Sequence, residues 1–177
     1  MLVLVTGDAS SGKSEYAESL AMKLSEKRIY AATMKNDGKE SRERIERHRR
    51  LRAGKGFVTM ECPDGLEEKA GMILESEPEF FEGASVVLED VPNLLANEMF
   101  TDKPYGDPLQ DILSLSQRSA HLVIVTGNLF TGGYGYDSMT MEYLKKLAGL
   151  NRSIAARADE VWEVVCGIPE KWKGKGI

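Results

Sequence analysis

The chain has 177 residues, 42% of them hydrophobic and 29% charged, which is the make-up of an ordinary globular domain and excludes a low-complexity or disordered segment. Its formal net charge of −5 argues against general nucleic-acid binding, and no apolar run approaches the ~20 residues of a membrane span. The first residues lack a basic n-region and a cleavage site, so a cytoplasmic location is expected. Cys62 and Cys166 are far apart and form no C-x-x-C pair; both are expected to be buried thiols, not a disulfide or a metal site.

Strands and helices alternate along the chain. Leu2–Thr6 is a short apolar, β-branched run, as in a buried parallel strand. Gly7–Ser14 reads GDASSGKS and matches G-x-x-x-x-G-K-[ST] at every fixed position. The next stretch, EYAESLAMKL, places Tyr16, Ala17, Leu20, Ala21 and Leu24 at helical spacing. Arg28–Thr33 is a second strand, Lys39–Arg52 a helix rich in Arg and Glu, and Phe57–Met60 a short strand. Asp64 is placed to cap a helix running to about Leu74. Ser85–Glu89 is an apolar strand ending in acid, and Val91–Phe100 is helical after Pro92. Thr101–Asp107 is a loop, and Pro108–Arg118 a helix with proline in its first turn. His121–Thr126 is another buried strand, and the glycine-rich Gly127–Tyr136 a loop. Ser138–Ala158 is a long helix with a break expected near Gly149. Glu160–Val165 is the last strand, followed by a Lys- and Gly-rich tail, 171–177, expected to be disordered.

This alternation predicts one α/β domain over residues 1–177, with a mostly parallel sheet covered by helices on both faces. Ligands of such folds bind at the carboxyl ends of the strands. That rule brings Gly7–Ser14, the residues after Thr33, Glu89-Asp90 and the Gly127–Tyr136 loop to one crevice.

The strand, loop and helix around Gly7–Ser14 suit a nucleoside triphosphate. Successive N–H groups of such a turn form an anion nest, and the helix N-terminus adds partial positive charge. Gly7 and Gly12 permit a close approach that a Cβ would hinder. Lys13 reaches the β- and γ-phosphates, and the Ser14 hydroxyl sits on Mg²⁺. Glu89 and Asp90 end an apolar strand as a Walker-B acid does, suited to the metal's hydration shell or to a ribose. A capping role for the following helix is the competing reading, and the sequence leaves open which acid faces the site.

Lys39–Lys55 holds eight Lys or Arg and three Glu, a basic patch that suits a phosphorylated ligand or a solvated helix face. His48, one of two histidines, shares a helix face with Arg44 and Arg52 at i−4 and i+4. Neighbouring cations favour the neutral, nucleophilic imidazole and would stabilise a phosphate under attack. A surface histidine is the plain alternative, and His121 reads as structural.

Taken together, GDASSGKS, YAAT (Tyr30–Thr33), RIERH (Arg44–His48), LED (Leu88–Asp90) and ADEVWEVVCGIP (Ala158–Pro169) resemble one family over nearly the whole chain. It is the adenosylcobinamide kinase/adenosylcobinamide-phosphate guanylyltransferase family of cobalamin biosynthesis, a P-loop NTPase-like fold. The resemblance implies that His48 is the guanylylated nucleophile, with Lys13 assisting at the phosphates. It implies that Gly7, Asp8, Ala9, Ser10, Ser11, Gly12, Lys13 and Ser14 bind nucleotide, as do Ala32, Thr33, Met34, Arg49, Arg50, Leu51, Arg52, Glu61 and Glu89. Ser14 and Asp90 are assigned to the metal. GTP, with ATP as a further phosphate donor, and Mg²⁺ are the implied cofactors. A corrinoid, adenosylcobinamide or its phosphate, is the implied substrate, and a homotrimer the implied assembly. The chain departs from the family's V-T-N-E-V-G with Val125-Thr126-Gly127-Asn128-Leu129-Phe130, and carries Phe57 where tryptophan is usual. A P-loop kinase without nucleotidyl transfer and a nucleotide-binding regulatory module are the rival readings.

Overall fold

The computed structural model describes residues 1–63, 65–101, 106–128 and 135–174. Along the chain run β1 (Leu2–Thr6), α1 (Lys13–Leu24), β2 (Arg28–Ala32), α2 (Lys39–Arg52), β3 (Phe57–Glu61), α3 (Leu66–Ser76) and β4 (Ser85–Glu89). They are followed by α4 (Val91–Met99), α5 (Pro108–Arg118), β5 (His121–Val125), α6 (Ser138–Arg157), β6 (Glu160–Val165) and β7 (Ile168–Lys173). The strands form one seven-stranded sheet in the order β3-β2-β4-β5-β1-β6-β7. Every pairing is parallel except β6 with β7.

Alternation along each strand sends neighbouring side chains to opposite faces. Leu4, Ile29, Val86, Leu88 and Ile124 meet Leu66 of α3, Leu94 of α4, Leu115 of α5 and Leu147 of α6 on one face. Val3, Val5, Tyr30, Val87 and Val123 meet Ala17 and Ala21 of α1 on the other. A strand buried on both faces has no polar positions to spare, which is why β1, β4 and β5 read as continuous apolar runs. Because the strands are parallel, the residues after β1, β2, β4 and β5 emerge along one edge of the sheet. The fold is thus the mostly parallel α/β sheet that the sequence predicts, with helices on both faces.

Three expectations need correction. Lys171–Lys173, read as tail, are strand: β7 pairs antiparallel with β6, and Lys171 Nζ bonds Glu160 Oε1 at 2.9 Å and lies 4.6 Å from the Trp162 ring centre. An edge strand tolerates Pro169 and alternating charge, which hid it in the sequence. Helix α6 runs unbroken through Gly149, because Leu147 and Ile154 on either side of it are both buried and outweigh the ~1 kcal/mol cost of a helical glycine. Cys62 is buried as expected, but Cys166 is exposed, held at φ 50 in the β6–β7 turn. The proposed Asp64 cap, most of the two loops (102–105 and 129–134) and tail residues 175–177 lie outside the described residues. Among the described residues no helix is long and apolar enough to cross a membrane.

Candidate active site

Aspartates cap three helices: Asp90 accepts from Asn93 N–H, Asp107 from Leu109 N–H and Asp137 from Thr140 N–H. Helix α1 has no such cap. It begins after Gly12, in the left-handed region at φ 93, and among the described residues no side chain caps it, as is also true of α2 after Gly38 and α3 after Gly65. The first turn of a helix leaves four N–H groups without intrahelical partners. Here Lys13, Ser14 and Glu15 of that turn line a cavity of about 770 Å³.

The loop before α1 is closely fitted. Ser11 N–H donates to the Asp8 carbonyl at 3.2 Å, and the Lys13 ammonium donates to the same oxygen at 3.1 Å. Gly167 N–H, from the β6–β7 turn, donates to the Ser11 carbonyl at 2.8 Å. A Cβ on Gly7 would stand 2.5 Å from Ser11 Oγ and 2.6 Å from the Val164 carbonyl, so only glycine fits. On Gly12 it would meet Gly167 Cα at 3.3 Å.

The two acids at the end of β4 separate by role. Asp90 is the cap of α4, and its burial pushes its carboxyl up to about 6. Glu89 turns to α1: its Oε1 accepts from Ser14 Oγ at 2.5 Å and its Oε2 from Tyr30 Oη at 3.0 Å. Burial raises the Glu89 carboxyl above its ordinary value, against the hydrogen bonds from Ser14 and Tyr30 that hold it down. Thr33 fixes the segment from beneath, donating from Oγ1 to the Asp90 carbonyl at 2.9 Å and accepting from Asp90 N–H at 2.7 Å. Asp90, assigned to a metal from the sequence, therefore spends one carboxylate oxygen on a helix end. Glu89 is the acid that meets Ser14.

Helix α2 carries His48 to the same cavity. Its Nδ1 stands 3.8 Å from Glu89 Oε1. Burial lowers its pKa, and Arg44 and then Arg52 lower it further, while Glu18 opposes them, so the environment favours the neutral imidazole. Arg52 is the only α2 residue fully buried among the described residues. Its guanidinium lies 3.5 Å from the Tyr30 ring centre and reaches Thr59 Oγ1 at 3.2 Å. Phe57 packs edge-on to Tyr30, with 6.1 Å between ring centres. Arg49 pairs with Glu61 at 2.6 Å.

Most of the residues singled out in the sequence meet here. Ala9, Ser10, Ser11, Gly12, Lys13, Ser14, Ala32 and Met34 line the cavity. So do His48, Arg49, Leu51, Arg52, Glu61, Glu89 and Asp90. Gly7, Asp8, Thr33 and Arg50 do not; the first three act through backbone or buried bonds, and Arg50 is exposed. Sequence reasoning missed Tyr30 and Glu18. Glu18 is 3% exposed, lines the cavity and pairs with Lys55. Its signal was available: Ser14 and Glu18 are four apart on α1 and share a face.

A glycine-fitted loop opening an uncapped helix at the carboxyl edge of a parallel sheet, with an acid on its serine, defines a nucleotide-binding P-loop enzyme. The family model for "Cobinamide kinase / cobinamide phosphate guanyltransferase" matches residues 3–172. The chain belongs to this family of enzymes of adenosylcobalamin biosynthesis. It is 31% identical to the bifunctional adenosylcobalamin biosynthesis protein CobU of Escherichia coli, with 98% of this chain and all of that one aligned. It is 28% identical to the protein of the same name from Salmonella typhimurium, over 98% of this chain and all of that one. It is 27% identical to the bifunctional protein CobP of Pseudomonas aeruginosa, with 98% of each chain aligned.

Proposed function

We propose that the enzyme binds GTP with Mg²⁺, transfers GMP to His48, and passes it to adenosylcobinamide phosphate. The observation that carries the reading is the convergence of His48 and the phosphate loop on one cavity, where burial, then Arg44 and Arg52, favour the neutral imidazole. Glu89 Oε1 stands 3.8 Å from Nδ1, so a proton kept on that nitrogen leaves Nε2 as the nucleophile. In the first step Nε2 bonds to the α-phosphorus and the bond to the β-phosphate oxygen breaks, releasing pyrophosphate. In the second, a phosphate oxygen of the acceptor bonds to the same phosphorus and the P–N bond breaks, returning neutral His48. The α1 amides, Lys13 and the arginines offset the charge that develops on the phosphates.

Magnesium needs few protein oxygens when phosphates and water complete its shell. The Ser14 hydroxyl and the Glu89 carboxylate, already in contact, fit that requirement better than Asp90. Bound there, the ion would neutralise phosphate charge during transfer.

The family name also supports the kinase activity, in which a cobinamide hydroxyl oxygen takes the γ-phosphoryl group from GTP or ATP bound on the same loop. A cytoplasmic location and assembly as a homotrimer belong to the same reading, the latter checked by light scattering. The transferase step is tested by GMP transfer from GTP to adenosylcobinamide phosphate. His48→Ala is expected to lose 10²-fold or more in rate while still binding GTP. Full activity in that variant would overturn the mechanism, and phosphoryl transfer from the γ-position alone would favour a plain kinase.

A further inference from the structure

Beside the nucleotide cavity lies a second groove of about 570 Å³. Met34, Arg44, Asn93 and Ala96 line both, so the two are continuous. Lys35, Lys39 and Phe100 line the groove and not the cavity. Nothing in the nucleotide-binding role uses these three.

We infer that this groove seats the phosphorylated acceptor, with its phosphate at Arg44 and the methyl-bearing edge of its corrin ring against Met34, Ala96 and Phe100. The inference rests on the transferase reading above. A group moving from His48 to an acceptor requires the acceptor oxygen about 3–3.5 Å from the reacting phosphorus. The nucleotide and His48 occupy the cavity, so the acceptor enters across its rim. Arg44 stands on that rim one helical turn from His48, and its charge acts on both His48 and Asp90.

The groove's composition fits such a molecule. Lys35, Lys39 and Arg44 outnumber the acids Asp37 and Glu40 on its wall, which suits a phosphate monoester of charge about −1.5 to −2. Lys39 faces Glu43 at 3.9 Å across a solvent-exposed pair, an arrangement that holds little energy and leaves the ammonium available to an anion. Phe100 is 53% exposed, unusual for a phenylalanine. Its ring stands 6.0 Å from that of Tyr143, which lines the nucleotide cavity, so an aromatic ledge joins the two spaces.

The test separates the half-reactions. Enzyme is loaded with GTP labelled at the α-phosphate without acceptor, then chased with increasing adenosylcobinamide phosphate. Lys35→Ala/Lys39→Ala and Phe100→Ser are expected to load at the wild-type rate within twofold. Their chase should need roughly tenfold more acceptor for half-maximal rate. Wild-type acceptor dependence in both variants would overturn the inference. Direct binding of the coloured acceptor, followed by its visible absorbance, reads the groove without any chemistry. A matching loss of affinity supports the inference even if wild-type enzyme fails to load, an outcome that would sink only the histidine mechanism. Unchanged affinity in both variants would overturn the inference on that arm as well. All three substitutions are at exposed or partly exposed positions, and circular dichroism checks that the two variants are folded.

Discussion

The phosphate loop lies between β1, with Val3, Leu4 and Val5 all buried, and α1, with Ala17 and Ala21 fully buried, whereas α2 buries Arg52 alone. The loop's amides and carbonyls are tied to Asp8, Gly167 and Asn128, and its glycines leave no room for a Cβ at position 7. Helix α2 is attached by polar and cation contacts: Arg52 on Tyr30 and Thr59, Arg49 on Glu61, and Lys55 just beyond its end on Glu18. Apolar burial stabilises at about 25 cal/mol per Å², while an exposed ion pair contributes about 0–1 kcal/mol. The anion site is therefore built by the core itself. His48 is set in place by a few side chains at one end of a charged helix.

Substitutions can break either half of this contrast. Gly7→Ala should have the largest effect, because its Cβ overlaps a backbone carbonyl that cannot move aside. A loss of about 3 kcal/mol is expected in urea unfolding, with GTP binding lost as well; a stable, GTP-binding variant would mean the loop is looser than described. Arg52→Ala removes the contact with Tyr30 and a partly buried hydrogen bond, and should cost about 2 kcal/mol. Lysine should not restore it, since an ammonium cannot reproduce the flat stack with its sideways bond to Thr59. If lysine serves as well as arginine, charge alone anchors α2.

Tyr30→Phe takes one of two hydrogen bonds from a buried carboxylate and should cost about 1 kcal/mol in thermal or urea unfolding. It should also raise the Glu89 pKa further, since the lost bond favoured the ionised form. The smallest effect is in the pH profile. Burial, then Arg44 and Arg52, lower the His48 pKa and keep the imidazole neutral to lower pH than a free histidine, so the acid limb of GMP loading should lie below the ordinary 6.5. Arg44→Gln removes a cation that disfavours protonation, and should shift the acid limb upward in pH. An unshifted limb would show that burial and the other cations set the value without Arg44.

Much of this was legible in the chain. Lys39–Arg52 and Pro108–Arg118 are helices with the bounds that periodicity, charge and proline indicate. Buried strands announce themselves because both faces must be apolar, as in SVVLE and HLVIV. β7 did not, because an exposed edge strand has no such constraint and IPEKWK carries proline and charge. In the site, one-dimensional spacing was enough to place His48, Arg44 and Arg52 on one helix face. It was not enough to divide Glu89 from Asp90. Adjacent residues at a strand end diverge in direction, and the choice depended on which one the next helix required as a cap. Tyr30 was hidden for a similar reason: a strand tyrosine reads as core, and its hydroxyl finds Glu89 only once β2 and β4 are paired.

In the proposed mechanism, a helix held by few contacts delivers His48 to the phosphate loop for covalent transfer. The most direct measurement incubates the enzyme with Mg²⁺ and α-labelled GTP, then isolates the labelled peptide. The account predicts an acid-labile, alkali-stable label on His48, absent in His48→Ala and discharged by adenosylcobinamide phosphate. An enzyme that binds GTP and transfers GMP with no label on His48 at any time would contradict it.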